Sequence, residues 1–249
     1  MPLLAVGTVA LDTIETPGGK VEDVLGGSVT HFAAVASLFT RVRLVAAIGQ
    51  DFPSAQLEFL KTRDVDLDGL EVREGRSFRW SGRYAEDMNQ RETISVELNV
   101  IEGYQPNIPE KYRDSRFVFL GNGSPVTQAS VLWGVDNPEF VLVDTMDLWI
   151  ETEREALVDL LKKVDAITLN DDEIRLLTGQ RNLVSAGKAL IEMGPKAVFL
   201  KKGEHGAIVI SQYGIYLLPA FPTEKVVDPT GAGDSFAGGI MGYLASVGE

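Results

Sequence analysis

The chain has 249 residues, 45% of them hydrophobic and 24% charged, a balance typical of a globular protein with a sizeable core. Its formal net charge of −13 at pH 7 argues against binding to nucleic acid or to an anionic membrane surface. The absence of cysteine excludes a disulfide framework, and two histidines far apart argue against a zinc site. No signal-like or membrane-length apolar run occurs, so we expect a cytoplasmic protein.

The amino-terminal apolar run, residues 3–7, predicts a buried parallel strand. Asp12 follows it closely, and the carboxyl ends of strands in doubly wound sheets are where ligands bind. Its carboxylate can accept hydrogen bonds from two adjacent hydroxyls of a ligand. The residues by themselves favour a solvated loop aspartate.

Gly26 and Gly27 precede a predicted helix that begins near Ser28. Without side chains, the two glycines let a ligand approach the backbone closely, although a tight turn before a helix packed by alanines explains them as well. His31 lies on this helix. Its imidazole fits a ligand contact and an ordinary packed helix position equally well.

The next segments predict a strand over 43–48 and a helix from Pro53 to about Thr62. Residues 64–69 imitate a calcium loop, but glycine stands at position 75, where the bidentate glutamate belongs, so we interpret them as a solvated loop. Alternating residues over 78–84 and 92–98, joined by a polar link at 86–91, predict antiparallel strands with one polar face. Three arginines on them are candidate ligand contacts, although arginines on an exposed sheet are usually solvated: Arg79, Arg83 and Arg91.

An alternation of strands and helices resumes after Pro109, with strands predicted over 117–120, 140–143 and 166–169 and an amphipathic helix over 152–163. Asn170 and Glu173 have the spacing of a helix N-cap with a reciprocal carboxylate, and spacing alone favours capping over metal chemistry.

A further strand over 197–200 runs into Lys201 and the glycine turn at Gly203 and Gly206. The two glycines fit the geometry of a hairpin turn.

Residues 226–234 predict a short strand, a glycine loop and the start of a helix. Unpaired amides at a helix N-terminus point at whatever lies there and favour an anion. Asp234 beside such an anion site is the arrangement that phosphoryl transfer to a hydroxyl requires, with the carboxylate as base. An aspartate that merely stabilises the helix dipole is the alternative, and the residues alone do not decide between the two.

The stretch Asp-Pro-Thr-Gly-Ala-Gly-Asp-Ser-Phe-Ala-Gly-Gly, residues 228–239, closely resembles the carboxyl-terminal signature of the ribokinase-like (PfkB) family of carbohydrate and nucleoside kinases. The resemblance implies a three-layer α/β/α fold with a mainly parallel central sheet and a small β-sheet lid. It implies one such domain over residues 1–249, with lid strands within about 13–24 and 70–100.

The resemblance also implies a role for each matched residue. The expected catalytic residues are Asp234 as base, with loop amides from Gly231, Ala232 and Gly233. The expected acceptor-binding residues are Asp12, Gly26, Gly27 and His31. The expected nucleotide- and phosphate-binding residues are Asn170, Lys201, Gly203, Gly206 and Thr230. Magnesium is expected at Glu173 and, through water, at Asn170.

The chain departs from the family pattern at two of these positions. His31 stands where asparagine is usual, and Lys201 where many members have threonine. Family members usually continue beyond the position of Glu249 with elements that complete the adenine pocket. Either the protein is unusually short or the sequence is a fragment, and we expect one wall of the site to be absent from this sequence.

The resulting prediction is an ATP-dependent phosphotransferase that acts on a hydroxyl of a small sugar or sugar-like acceptor. It would use Mg²⁺, with a monovalent cation such as K⁺ as a further candidate, and a homodimer through the lid sheet is a candidate assembly. A nucleoside kinase and a non-catalytic sugar-binding sensor are the alternatives. A redox enzyme is disfavoured, because Phe236 stands where a dinucleotide fingerprint needs its third glycine.

Overall fold

The computed structural model describes residues 1–88 and 91–248, and within them the strands and helices alternate as in an α/β protein. The strands are β1 Leu3–Val6, β2 Ala10–Thr16, β3 Gly19–Gly26, β4 Val42–Gly49, β5 Val65–Arg73, β6 Arg79–Tyr84, β7 Arg91–Glu97, β8 Phe117–Leu120, β9 Phe140–Asp144, β10 Ala166–Asn170, β11 Ala197–Lys201, β12 Ala207–Ser211 and β13 Gly214–Leu218. The α-helices are α1 Ser28–Ala36, α2 Ser54–Lys61, α3 Pro125–Val131, α4 Asp147–Thr152, α5 Arg154–Leu161, α6 Asp171–Thr178, α7 Leu183–Met193 and α8 Ala232–Val247. Within the described ranges, no helix combines the length and the apolar character needed to cross a membrane.

Nine strands form the large sheet, in the order β13-β12-β11-β10-β9-β8-β1-β4-β5. All neighbours from β11 to β5 are parallel, whereas β12 and β13 form an antiparallel hairpin at one edge. The carboxyl ends of parallel strands meet at one edge of a sheet, and this edge therefore collects the residues that follow β1, β8, β9, β10 and β11.

Side-chain alternation along the strands divides the core between the two faces of the large sheet. In β1, Leu3 and Ala5 pack with helices α1, α2 and α8, while Leu4 and Val6 pack with helices α3 to α7. Both faces of the sheet are thus covered, as buried parallel strands require. The predicted three-layer α/β/α class is confirmed.

Four strands form the smaller sheet, in the order β3-β2-β6-β7. The β6–β7 pair is antiparallel, which confirms the prediction for residues 78–84 and 92–98. The β2–β3 pair is also antiparallel, whereas β2 and β6 run parallel. Residues 70–73 end β5 of the large sheet and do not belong to this one. The predicted polar link at 86–91 includes Asn89 and Gln90, which lie outside the described residues.

Two local predictions were wrong. Of residues 64–69, predicted to be a solvated loop, all but Asp64 belong to β5, where pairing with β4 overrides their polar composition, and the Asp66 carboxylate accepts hydrogen bonds from Tyr112 and Lys111. Residues 226–227 are exposed and unpaired rather than a strand. The amphipathic helix predicted over 152–163 is confirmed as α5, which begins after Glu153 (φ −130°, ψ 34°) and buries Leu157, Leu160 and Leu161.

Packing of α1 against the sheet depends on a stacked pair of phenylalanines. Phe32 of α1 and Phe119 of β8 are fully buried, with ring centroids 4.0 Å apart. We expect Phe32→Ala to lower the free energy of unfolding by about 3–5 kcal/mol, because truncation leaves a cavity in the core. Urea denaturation measures this change. Phe221→Ala, at a side chain that is 90% exposed, is the control and should stay within about 0.5 kcal/mol.

Candidate active site

The site lies at the edge of the large sheet where its parallel strands end. Asp144, Asn170 and Lys201 are the last residues of β9, β10 and β11, three adjacent strands. Helices α1, α6 and α8 begin at the same edge. An open cavity of about 1710 Å³ lies there, and its wall combines these residues with the start of α8 and one face of the smaller sheet.

The glycine loop before α8 forms the floor of this cavity. Gly231 is the N-cap of α8 in the left-handed conformation (φ 72°), and the amide of Thr230 donates to the Asp228 carboxylate at 2.8 Å. Ala232 and Gly233 are the first two residues of α8, and both line the cavity. Amides in the first turn of a helix have no hydrogen-bond partner inside that helix. The amide of Ala232 donates to the carbonyl oxygen of Pro229 at 3.1 Å. The predicted loop and helix start are present, and anion binding by this loop stays a prediction.

His31 of α1 packs directly against this loop. A Cβ atom at Gly231 would lie 2.2 Å from the imidazole Cγ, so residue 231 must be glycine both for its positive φ and for the close approach of this ring. The Nε2 atom of His31 is buried without a hydrogen-bond partner in the described structure, and the ring lines the cavity. Burial lowers the pKa of His31, and the charge of Asp228 acts in the opposite direction. The net lowering favours a neutral ring.

Asp12 lies on β2 of the smaller sheet and is 4% exposed. A Cβ atom at Gly26 would lie 2.0 Å from its Oδ2 atom, which explains the glycine at that position. Burial raises the pKa of Asp12 to about 7, a hydrogen bond from the Gly27 amide acts against this shift, and the charge of Asp228 adds to it. The Oδ1 atom is buried without a hydrogen-bond partner in the described structure, on a side chain that lines the cavity.

Lys201 is the cation at the centre of three carboxylates. Its Nζ atom lies 3.1 Å from Asp144 Oδ1, with both side chains largely buried, and it would lie 3.1 Å from a Cβ atom on Gly233. The charges of Asp144, Glu173 and Asp234 raise the pKa of Lys201 against the effect of burial. Burial raises the pKa of Asp234 to about 8, Asp144 shifts it in the same direction, and Lys201 opposes them.

Asn170 and Glu173 form the predicted capping box at the start of α6. Asn170 Oδ1 accepts from the amide of Glu173 at 2.8 Å, and Glu173 Oε2 accepts from the amide of Asn170 at 2.7 Å. Burial raises the pKa of Glu173 to about 7, Lys201 lowers it and Asp144 raises it. Capping occupies one oxygen of each side chain and leaves the second carboxylate oxygen of Glu173 for other partners.

The described residues contain no group of three or more side chains able to hold a metal ion. Magnesium usually keeps several waters and binds through one or two carboxylates together with the phosphates of a nucleotide. Glu173 and Asp144, which both line the cavity, fit that sparse donor set.

The smaller sheet forms the opposite wall and contacts the glycine loop. The Thr230 hydroxyl donates to the hydroxyl of Tyr84 on β6 at 3.1 Å, and burial raises the pKa of Tyr84. Tyr84 is among the cavity residues that the sequence did not single out, with Trp80 and Asp144. The sequence carried a signal for Asp144, because this residue ends a buried apolar run. The positions of Trp80 and Tyr84 on the cavity wall depend on strand register, which the sequence pattern does not report.

Gly203 and Gly206 form the turn between β11 and β12. A Cβ atom at Gly206 would lie 2.0 Å from the carbonyl oxygen of Leu218, so this turn packs closely on the end of β13. In the described residues the cavity wall includes Lys201 but neither glycine. Their predicted nucleotide contact stays a prediction.

Two of the three candidate arginines are engaged away from the cavity. Arg79 pairs with Asp23 and with Asp51 at 2.9 Å, and Arg83 forms a bidentate pair with Glu15 at 2.9 and 3.1 Å. Arg91 lines the cavity, with its guanidinium carbon 5.8 Å from the ring centre of Trp80.

A buried carboxylate beside helix N-terminal amides, with a second buried carboxylate lining the same cavity, suits phosphoryl transfer to a hydroxyl. The family model for pfkB family carbohydrate kinases matches residues 135–249. The cytidine kinase of Thermococcus kodakarensis is 30% identical over 98% of this chain and 88% of its own length. The chain belongs to the PfkB family, and it is an ATP-dependent kinase of a sugar or nucleoside hydroxyl.

Other matches cover less of the chain or show the fold alone. The ribokinase of Mus musculus is 41% identical over 30% of this chain and 25% of its own length. The nucleoside kinase of Burkholderia thailandensis in complex with inosine superposes with a TM-score of 0.79 at 19% identity, over 98% of this chain and 89% of its own. An Escherichia coli protein provisionally assigned as ribokinase II, in complex with ATP and Mg²⁺, superposes with a TM-score of 0.77 at 20% identity, over 99% and 86%. Both structures share the ribokinase-like fold.

Proposed function

We propose that the chain is an ATP-dependent nucleoside kinase in which Asp234 is the general base. The observation that carries the proposal is that Asp12, Asp234 and the first turn of α8 line the same cavity. An acceptor hydroxyl placed between the two carboxylates would lie next to the amides that bind a phosphoryl group.

A nucleoside acceptor is favoured over a free sugar by the extent of similarity. The match to the cytidine kinase extends over 98% of this chain, whereas the match to the mouse ribokinase extends over 30% of it. The cavity of about 1710 Å³ also has room for an acceptor larger than a pentose beside a nucleotide. Sugar phosphorylation remains the competing outcome of the test.

In this mechanism Asp12 accepts hydrogen bonds from hydroxyls of the ribose through its unpartnered Oδ1 atom, and neutral His31 donates or accepts one more through Nε2. Asp234 removes the proton from the attacking hydroxyl. The new O–P bond forms as the bond from the γ-phosphorus to the β,γ-bridging oxygen breaks, and ADP leaves with that electron pair.

The chain's own groups stabilise the charge that moves in this step. Amides from Gly231 to Gly233 and the Lys201 ammonium would contact the transferred phosphoryl group, and Thr230 and Asn170 would position the phosphates. Magnesium, held by Glu173 and through water by Asn170, would neutralise charge on the phosphates. Lys201 also opposes the burial that holds the pKa of Asp234 near 8, which favours the basic form of that carboxylate.

The test is phosphorylation of a panel that contains cytidine, other nucleosides, ribose, fructose and a polyol, with Mg-ATP. ADP release gives the rate, and mass spectrometry identifies the phosphorylated product. We expect at least one nucleoside to give a higher kcat/KM than every free sugar. Turnover of a free sugar alone would replace the nucleoside proposal by the sugar kinase, and ligand binding without any turnover would favour the non-catalytic sensor.

Three finer expectations accompany this proposal. Both edge strands of the smaller sheet, β3 and β7, are largely exposed, which suits a homodimer through that sheet, and sedimentation analysis tests this assembly. A requirement for a monovalent cation is tested by exchanging K⁺ for Na⁺ in the assay. The cytoplasmic location stays a prediction.

A further inference from the structure

The inner face of the smaller sheet carries a large aromatic side chain next to the proposed ribose-binding carboxylate. Trp80 of β6 is the register partner of Asp12 of β2. Paired residues on neighbouring strands project their side chains from the same face of the sheet. Both residues line the cavity, so the indole lies beside the place proposed for the sugar.

Two neighbours restrict the orientation of this indole. The Trp80 ring lies along β6 and covers Gly82. A Cβ atom at position 82 would lie 2.1 Å from the ring, so this orientation requires glycine there. The indole N–H donates to Thr93 Oγ1 on β7 at 3.4 Å. Trp80 therefore presents a partly buried aromatic surface on the cavity wall.

Arg91 of β7 places its planar guanidinium over that ring. Its guanidinium carbon is 5.8 Å from the ring centre, and Arg91 lines the cavity as well. A guanidinium carries N–H donors and no acceptor, so it binds ligand edges that present acceptors. An aromatic face with an adjacent guanidinium is an arrangement on which nucleobases stack and are read along their edges.

We propose that Trp80 and Arg91 form a nucleobase subsite, in which the base of the acceptor stacks on Trp80 and presents a carbonyl acceptor to Arg91. The inference rests on the proposed nucleoside kinase function and specifies its substrate further. A base with adjacent carbonyl and ring-nitrogen acceptors, such as cytosine, satisfies the donors of the guanidinium, whereas adenine offers no carbonyl. A free pentose bound at Asp12 lacks the group that would cover Trp80.

The experiment measures binding by calorimetry and turnover by ADP release for cytidine, adenosine and ribose, with four full-length proteins: wild type, Trp80→Leu, Arg91→Met and Arg83→Met. Trp80→Leu should weaken cytidine and adenosine binding roughly 10- to 100-fold and leave ribose unchanged, because only the stacked base is lost. Arg91→Met should reduce the preference for cytidine over adenosine by about 10-fold. Arg83→Met is the matched control, because Arg83 pairs with Glu15 away from the cavity, and it should behave as wild type.

The outcomes separate the two proposals. Cytidine turnover that is unchanged in Trp80→Leu and Arg91→Met would overturn the base subsite and leave the nucleoside kinase standing. Nucleoside binding that depends on Trp80 without turnover would support the subsite and overturn the kinase proposal. If ribose binds as tightly as cytidine in wild type, or if Trp80→Leu weakens both equally, Trp80 contacts the sugar and the subsite is wrong. Trp80→Phe keeps an aromatic ring, so it should lose less nucleoside affinity than Trp80→Leu. An equal loss in the two variants would mean that stacking on the ring is not what binds the base, and would overturn the subsite.

Discussion

Replacing Asp234 with asparagine is expected to lower kcat roughly 10²- to 10⁴-fold, because the variant keeps the shape of the side chain and loses the base that removes the hydroxyl proton. Initial rates of ADP release at saturating acceptor and ATP measure the loss. Asp228→Asn is the matched control in the same loop, since an amide oxygen can still accept from the Thr230 amide, and it should retain most of the activity. A folded Asp234→Asn protein with undiminished kcat would remove the assignment of the base.

The same substitution should flatten the pH dependence of stability. Burial raises the pKa of Asp234 from 3.8 to about 8, so between these pH values the folded state keeps a proton that the unfolded chain has released. The stability that this group contributes is therefore present in full below pH 3.8 and is lost as the pH rises toward 8. Thermal unfolding of both proteins at several pH values from 4.5 to 8 should show a weaker decline for Asp234→Asn. A decline as steep as that of wild type would contradict the raised pKa.

Replacing Lys201 with methionine is expected to be the most damaging change outside the glycine loop. It leaves Asp144, Glu173 and Asp234 without their shared cation, and loss of one partner of a buried ion pair typically costs about 3–5 kcal/mol of stability. We also expect ATP binding to weaken at least about 10-fold, because Asp144, Glu173 and Asp234 would then repel the phosphates without the ammonium group of Lys201 between them. Chemical denaturation and calorimetry with ATP measure the two losses separately.

The double variant Lys201→Met with Asp144→Asn distinguishes a structural role of the lysine from phosphate binding. Asparagine at position 144 removes the direct partner, so most of the lost stability should return. If Lys201 contacts the phosphates, ATP affinity should stay low in the double variant. Full recovery of ATP affinity would show that the lysine serves only to neutralise Asp144.

Local sequence signals predicted the parts of the site that lie within one loop or one turn. Residues 230–234 combine glycines, an aspartate and a helical pattern within a few positions, and the structure has the predicted loop and helix there. The capping box of Asn170 and Glu173 is equally local and was confirmed as a cap. Their chemical roles, like that of Asp12, come from the family resemblance and stay proposals.

The remaining features depend on contacts between distant segments, which periodicity does not report. Trp80 lies beside Asp12 because β2 and β6 run parallel in one register, although 68 positions separate the two residues in the chain. Residues 65–69 belong to a strand despite their acidic composition, because β4 offers an unpaired edge and Tyr112 and Lys111 bind Asp66. Conversely, the β-branched pair at 226–227 has no strand beside it and stays irregular.

The hydrogen bond between Thr230 and Tyr84 has a thermodynamic consequence for the two substrates. It joins the wall that faces the acceptor to the loop proposed to receive the phosphoryl group, so an acceptor that holds the smaller sheet in place also restrains that loop. Each substrate should then bind more tightly in the presence of the other, by the same factor in both directions, since coupling free energy is reciprocal. The enzyme would thereby discriminate against water, a small acceptor that cannot engage the sheet and so cannot favour the competent loop.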